Sequence, residues 1–386
     1  MIWVSIVIVA LMTAFAAFGI IDYVFLKNRF GLGNEFKKGF ELIGPLCLAM
    51  TGIISSIPLL EVVIKNTISP LYEMIGLDPS MAVTAILAID MGGYQLATKV
   101  ALSEIIGQWA GLVYSSMMGA TIIFSLPVGL ASINKKDSPF FIKGVLFGIA
   151  AIPFGTFIGG IMMGVPVLAA LLNLVPPIIF SIIIIVCLSL WPNGTVKVFK
   201  IFSIIINAFG FICLAIAMVK DLVLTPIAAE TGAFVIEETP FINLFAPTSE
   251  GILAAGSIGL ILAGALPFTA ALKQLLKKPL RKLSEKTNGT DSGVSGYLLS
   301  SVNIMTLFTS LDKMKDKEKI YNVAFAICAA FMLGDHLAFV AAKATKYILP
   351  MIVSKLLSGI FAVLLAYLYL KLSDKKKENL YEKKRI

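Results

Sequence analysis

The chain has 386 residues, 58% of them apolar and 14% charged, with a net charge of +9 and a mean hydropathy of +0.92. A soluble domain carries about 25% charged residues, so a soluble enzyme is excluded. The basic excess sits in short loops between apolar runs, as in cytoplasmic loops of membrane proteins, and does not point to nucleic acid.

The chain therefore reads as an all-α polytopic membrane protein. Apolar segments fall at roughly 2–26, 40–64, 79–98, 105–132, 139–164, 165–191, 199–224, 251–272, 293–310, 320–345 and 348–371. Most are long enough to cross a ~30 Å hydrocarbon core as a helix. The first lacks a basic leader and an evident cleavage site, so it is expected to be a span and not a signal peptide. The third, PSMAVTAILAIDMGGYQLA, is interrupted by Asp90 and the pair Gly92-Gly93. The ninth, GVSGYLLSSVNIMTLF, is short and carries Ser295, Ser300, Ser301, Asn303 and Thr306. Cys47, Cys187, Cys213 and Cys328 lie inside apolar runs without disulfide or metal-ligand spacing. With no phosphate loop or zinc motif, no cofactor and no metal are expected.

An internal repeat follows. Glu41, Pro58 and Pro70-Leu71 recur at one constant offset as Glu250, Pro267 and Pro279-Leu280. After a small shift, Gly76 and Asp78 match Gly289 and Asp291, and Asp90 falls on Asn303. Gly119-Ala120-Thr121 then matches Gly334-Asp335-His336, and Pro139 and Gly148-Ile149 match Pro350 and Gly359-Ile360.

Loop charge sets the topology. If all segments crossed, the basic loops 27–38 and 133–143 would lie on opposite sides, as would 273–286 and 311–319. Re-entrant third and ninth segments repair both conflicts. The expected architecture is two inverted-topology repeats with about nine crossings and two broken re-entrant segments; the alternative is eleven transmembrane helices. Within one transporter domain, 1–164 is repeat 1, 165–198 a linker helix, 199–371 inverted repeat 2 and 372–386 a basic cytoplasmic tail. The acidic stretch 221–250 then lies outside, as do Lys343 and Lys346, against the usual trend. Inverted repeats with broken segments mark secondary transporters, with the solute site near the midplane.

Asp90 and Asn303 are mates at the two break tips. A carboxylate at that depth costs roughly 2.5–3.5 kcal/mol on insertion scales, so it needs a partner or a purpose: Asp90 either caps unwound backbone or binds a cation. On a continuous tenth helix, Phe331, Asp335 and Phe339 would share one face. A carboxylate between aromatic rings suits a small organic cation, and Asp90 with Tyr94 repeats that spacing. His336 points about 100° away from Asp335 and reads as a core histidine, a pH sensor or a proton carrier.

The stretches AIDMGGYQLA, SSMMGATIIFSLPV and FMLGDHLAFVAA, in this order, resemble the ethanolamine permease (EutH) family of bacterial ethanolamine-utilisation operons, over about residues 38–365. The resemblance implies a bacterial inner- or plasma-membrane protein importing ethanolamine for catabolism, and carries over Asp90 to Gly93, Ser116 to Gly119 and Gly334 to His336. Ethanolamine is an ammonium at neutral pH. Its ammonium is expected at Asp335 and Asp90, against Tyr94 and Phe339, beside the Gly92-Gly93 break, with His336 tuning. Its hydroxyl is expected at Asn303, Thr121 or Ser116. The partners are then ethanolamine and the lipid bilayer, with a homo-oligomer also open. Two other readings stand: an ion-coupled carrier of another small amine or amino acid, and an intramembrane aspartyl protease using Asp90 and Asp335.

Overall fold

A computed structural model describes residues 2–231, 241–287 and 289–383, and parts of the acidic stretch and of the basic tail lie outside these. Among the described residues there is helix and turn but no strand. In lipid a helix satisfies its own backbone polar groups, which is why so apolar a chain folds this way.

The first elements are α1 (Ile2–Val24), α2 (Leu32–Glu41), α3 (Ile43–Ser55) and α4 (Ile57–Met74). A broken pair follows, α5 (Ser80–Ile86) and α6 (Tyr94–Val100). Next, α7 (Glu104–Trp109) and α8 (Leu126–Ser132) are joined through underwound π-helical turns at Ala110–Gly119 and Thr121–Ser125. Then come α9 (Ser138–Met163), α10 (Val167–Asn173), α11 (Val175–Leu190), α12 (Pro192–Val219) and α13 (Thr225–Thr231). The last are α14 (Thr248–Thr287), α15 (Asp291–Val302), α16 (Ile304–Phe308), α17 (Asp316–Ala329), α18 (Asp335–Lys343) and α19 (Ile348–Lys383).

Eight helical stretches among the described residues are long and apolar enough to cross a membrane. They are Ile2–Val24, Leu32–Ser55, Glu104–Ser132, Lys135–Met163, Val167–Leu190, Pro192–Ile227, Ile242–Lys286 and Thr345–Asp374. The protein is an all-α, multi-pass membrane protein.

Both expected breaks are present. Leu87 and Ala88 are extended, and Gly92 takes φ 82°, a left-handed conformation that glycine adopts without steric cost. At the second break Asn303 is extended, and its side chain caps α16 by accepting from the Met305 amide at 2.9 Å. Each broken pair is a hairpin whose ends meet. Asp78 accepts from Ser80 N (3.0 Å) and Oγ (2.5 Å) at the start of α5, and from Leu102 N (3.0 Å) and Ser103 N (3.1 Å) beyond α6. Glu318 accepts from Thr290 N (2.7 Å) and Oγ1 (2.6 Å) before α15, and from Lys315 N (2.9 Å) beyond α16.

The tenth segment departs from expectation. It is not continuous over 320–345 but broken between α17 and α18, with Phe331 at φ 61°. Phe331 therefore does not share a helix face with Asp335. The cause is tertiary. Carbonyls at the end of α15, left without helical donors, are met by this turn: Phe331 N donates to Ser300 O (3.2 Å) and Leu333 N to Ser301 O (2.8 Å). The two interruptions of this half satisfy each other's backbone.

Packing sets helix directions through small residues, as membrane helices commonly do. Gly251 of α14 lies against Thr51 of α3, and Gly259 against Ile43, so these helices are antiparallel. On α19, Phe361 stacks on Phe154 of α9 with centroids 4.5 Å apart, and Tyr369 on Phe147 at 5.4 Å, again antiparallel. By contrast α17 runs parallel to α9, with Gly144 against Val323 and Gly148 against Ile327.

Candidate functional site

The site is built where the first break meets the second half. Ala88 O, released by the extended turn, takes the amides of Met91 (3.0 Å) and Gly93 (3.0 Å), which curls the chain around Asp90. Ser115 Oγ donates to Leu87 O at 2.7 Å, docking the break on the π-helical stretch. Gly119 completes that contact, since a Cβ there would sit 2.0 Å from Leu87 O. In the other half Gly334 has the same role: a Cβ there would sit 2.1 Å from Val302 O, beside Asn303.

Among the expected residues, Tyr94 and Phe339 meet edge to face with ring centroids 5.7 Å apart, joining α6 to α18. Asp335, the first residue of α18, and Asp90 are partly buried and lie within electrostatic reach of each other. Among the described residues neither carboxylate forms an ion pair. A cation held near both carboxylates would relieve any repulsion between them at low dielectric. Gly92 and Gly93 are buried at the break. Asn303 spends its Oδ1 on the cap and keeps its Nδ2 as a donor.

The two hydroxyls are more committed. Thr121 is fully buried and donates to Met117 O at 2.7 Å, with Ile327 O at 3.4 Å. Ser116, 1% exposed, donates to Val113 O at 2.8 Å. Both keep lone pairs to accept from a ligand, but their protons are spent on backbone. Phe331 does not flank Asp335; its ring packs on Phe124 (5.8 Å) and on His336 (5.2 Å).

His336 is buried and turned to a residue that sequence reasoning missed. Lys355 of α19 is 0% exposed, its Nζ 3.2 Å from His336 Nδ1 and 2.6 Å from Ser116 O. It lies within electrostatic reach of Asp90 as well. The clue was available: Lys355 stands alone in the apolar run ILPMIVSKLLSGIFAVLL, and a charge inside such a run is a functional candidate by default. Among the described residues, no group of His, Cys, Asp and Glu fits a metal ion.

The arrangement brings two carboxylates within electrostatic reach of each other and joins the Tyr94 and Phe339 rings across α6 and α18. The model of the family described as "Ethanolamine utilisation protein, EutH" matches residues 4–369. The "Probable ethanolamine permease EutH" of Listeria monocytogenes is 38% identical over 92% of this chain and 92% of its own. The protein of that same name in Escherichia coli K12 is 35% identical over 88% of this chain and 86% of its own. The "Uncharacterized protein YxeR" of Bacillus subtilis is 35% identical over 92% of each chain. No solved structure matches the chain significantly.

Proposed function

The chain belongs to the EutH family, and from that premise we infer that it is a permease importing ethanolamine across the bacterial cell membrane for its catabolism. It is a transporter and not an enzyme. The observation that carries the substrate reading is the pair of carboxylates, Asp90 and Asp335, within electrostatic reach of each other, without an ion-pair partner among the described residues, each four residues before one of the two rings that meet, Tyr94 and Phe339. The ammonium sits between these acids and rings, where Coulomb attraction and cation–π contact add. The hydroxyl is met by Asn303 Nδ2, with Ser116 and Thr121 as acceptors. Gly92 and Gly93 let the backbone curl close to the ligand, and His336 tunes the site from the far side of α18.

Alternating access in this reading rests on two inverted repeats, 1–164 and 199–371, joined by a linker crossing at 165–198. The broken pairs are re-entrant and, with α17–α18 as a broken span, about nine crossings result. The meeting ends of both hairpins support this, since a segment entering and leaving on one side must bring its ends together. So does the antiparallel packing of matched helices, α3 on α14 and α9 on α19. The basic end of the chain anchors on the cytoplasmic side.

Uptake of radiolabelled ethanolamine into proteoliposomes tests the reading, with competition by a panel of small amines and amino acids. Ethanolamine should be taken up and should compete best. A different amine competing more strongly would move the substrate to that compound and leave the carrier intact.

A further inference from the structure

We propose that Lys355 and His336 form a single proton-binding site inside the membrane, and that an ammonium arriving at Asp90 expels its proton. The proposal deepens the ethanolamine reading and rests on it.

Lys355 Nζ is held by two neutral acceptors, Ser116 O at 2.6 Å and His336 Nδ1 at 3.2 Å, and is fully buried. An ammonium has only donors, so while Lys355 is charged Nδ1 must accept and the imidazole is neutral with its proton on Nε2. Charging both would set two unit positive charges 3.2 Å apart where water does not screen them. The pair therefore carries one excess proton or none.

The surroundings decide which. The groups facing Lys355 are Cys328 on α17, Asp90 at the first break and the Ser116 carbonyl. Cys328 donates its thiol proton toward Gly148 O at 3.3 Å and stays neutral. Asp335, next to His336 in the chain, lies within electrostatic reach of Asp90 and is not among the groups that act on Lys355. In the empty carrier the negative charge that steadies the proton on the pair is thus that of Asp90. An ammonium at Asp90 cancels this attraction and adds a like charge. The Lys355 N–H bond then breaks, its proton passes out to solvent, and, counting the ammonium, the net charge of the Asp90–Lys355–His336 group is unchanged. When ethanolamine leaves on the cytoplasmic side, the pair takes up a proton again before the empty carrier returns. One turnover exchanges one ammonium for one proton, an electroneutral cycle.

The test uses the purified full chain in nanodiscs in weak buffer with a pH-sensitive dye. Saturating ethanolamine should release about one proton per molecule bound. Lys355→Arg keeps a cation that does not give up its proton, and should bind more weakly with no proton released. Ethanolamine bound by the wild type with no proton release overturns the proposal and leaves the substrate reading standing. Because His336 is the only histidine, histidine-labelled protein reads this one imidazole by NMR. Without ligand, Nδ1 should show an accepted hydrogen bond that Lys355→Met removes, with no imidazolium between about pH 5 and 8. An imidazolium forming in that range with Lys355 present also overturns the proposal. Failure of ethanolamine to bind at all would sink the substrate reading, and the imidazole spectrum would still decide the proton site.

Discussion

Lys319 Nζ lies 2.8 Å from Asp137 Oδ1, both side chains almost fully covered, which pins the start of α17 beside the start of α9. Two helices running parallel from one buried ion pair begin on the same face of the membrane. Single cysteines at Ser138 and Lys315, in a background without native cysteines, should both react with an impermeant thiol reagent only from the cytoplasm. Labelling from opposite faces would remove the re-entrant hairpins and the inverted repeat together.

That ion pair should also matter for stability. Removing one partner of a buried pair typically costs about 3–5 kcal/mol, because the other charge is left uncompensated. Lys319 keeps a second contact to Asp316 at 3.2 Å, so Asp137→Asn should fall at the low end. A melting temperature in detergent lowered by several degrees is expected, whereas Lys317→Ala on an exposed pair should leave it nearly unchanged.

At the proposed ammonium site, Asp335→Asn keeps shape and removes charge. Truncating one partner of a buried charge pair costs roughly 2–5 kcal/mol, so apparent affinity should weaken at least about tenfold. The protein should still insert, since an intramembrane charge has been removed. Asp90→Asn should be equally severe if both acids face the ligand. It should be mild if Asp90 only steadies the turn, where asparagine serves nearly as well. Affinities of both variants in proteoliposomes separate the roles, and a normal value for Asp335→Asn takes that residue out of the site.

Gly119→Ala and Gly334→Ala probe the two breaks in parallel. A methyl group would meet Leu87 O in the first and Val302 O in the second, both backbone atoms with no rotamer to yield. Each variant should reach the membrane yet lose most transport. Gly44→Ala, where nothing lies within 4 Å, should transport normally. Normal uptake by either break variant would show that its close contact is dispensable.

The breaks at Asp90 and Asn303 were legible because the residues themselves enforce them. Gly92 supplies the left-handed turn after Asp90, and Asn303 is a natural cap. The break at 330–334 was not legible, because nothing in AFMLG resists a helix and a phenylalanine at positive φ is disfavoured. Only the carbonyls of α15 call for it, and those come from another part of the chain. Of the candidate site residues, Tyr94 and Phe339 meet, while Phe331 packs on Phe124 and His336 because the chain breaks before α18. Lys355 was visible as a lone charge, but its partner His336 lies on the preceding helix, beyond a turn whose angle spacing does not fix.

The two halves are not equally interrupted. The second is interrupted at both Asn303 and 330–334, while its counterpart pairs one break at 87–93 with a helix that is underwound but unbroken. A gate formed from two loose joints rearranges at a different rate from one formed from a single joint. Thermodynamics ties only the ratio of maximal rate to half-saturation on the two sides, and leaves each quantity free. Influx and efflux of the same solute should therefore saturate at different concentrations, and the carrier should behave as a kinetic rectifier even with equal pH on the two sides.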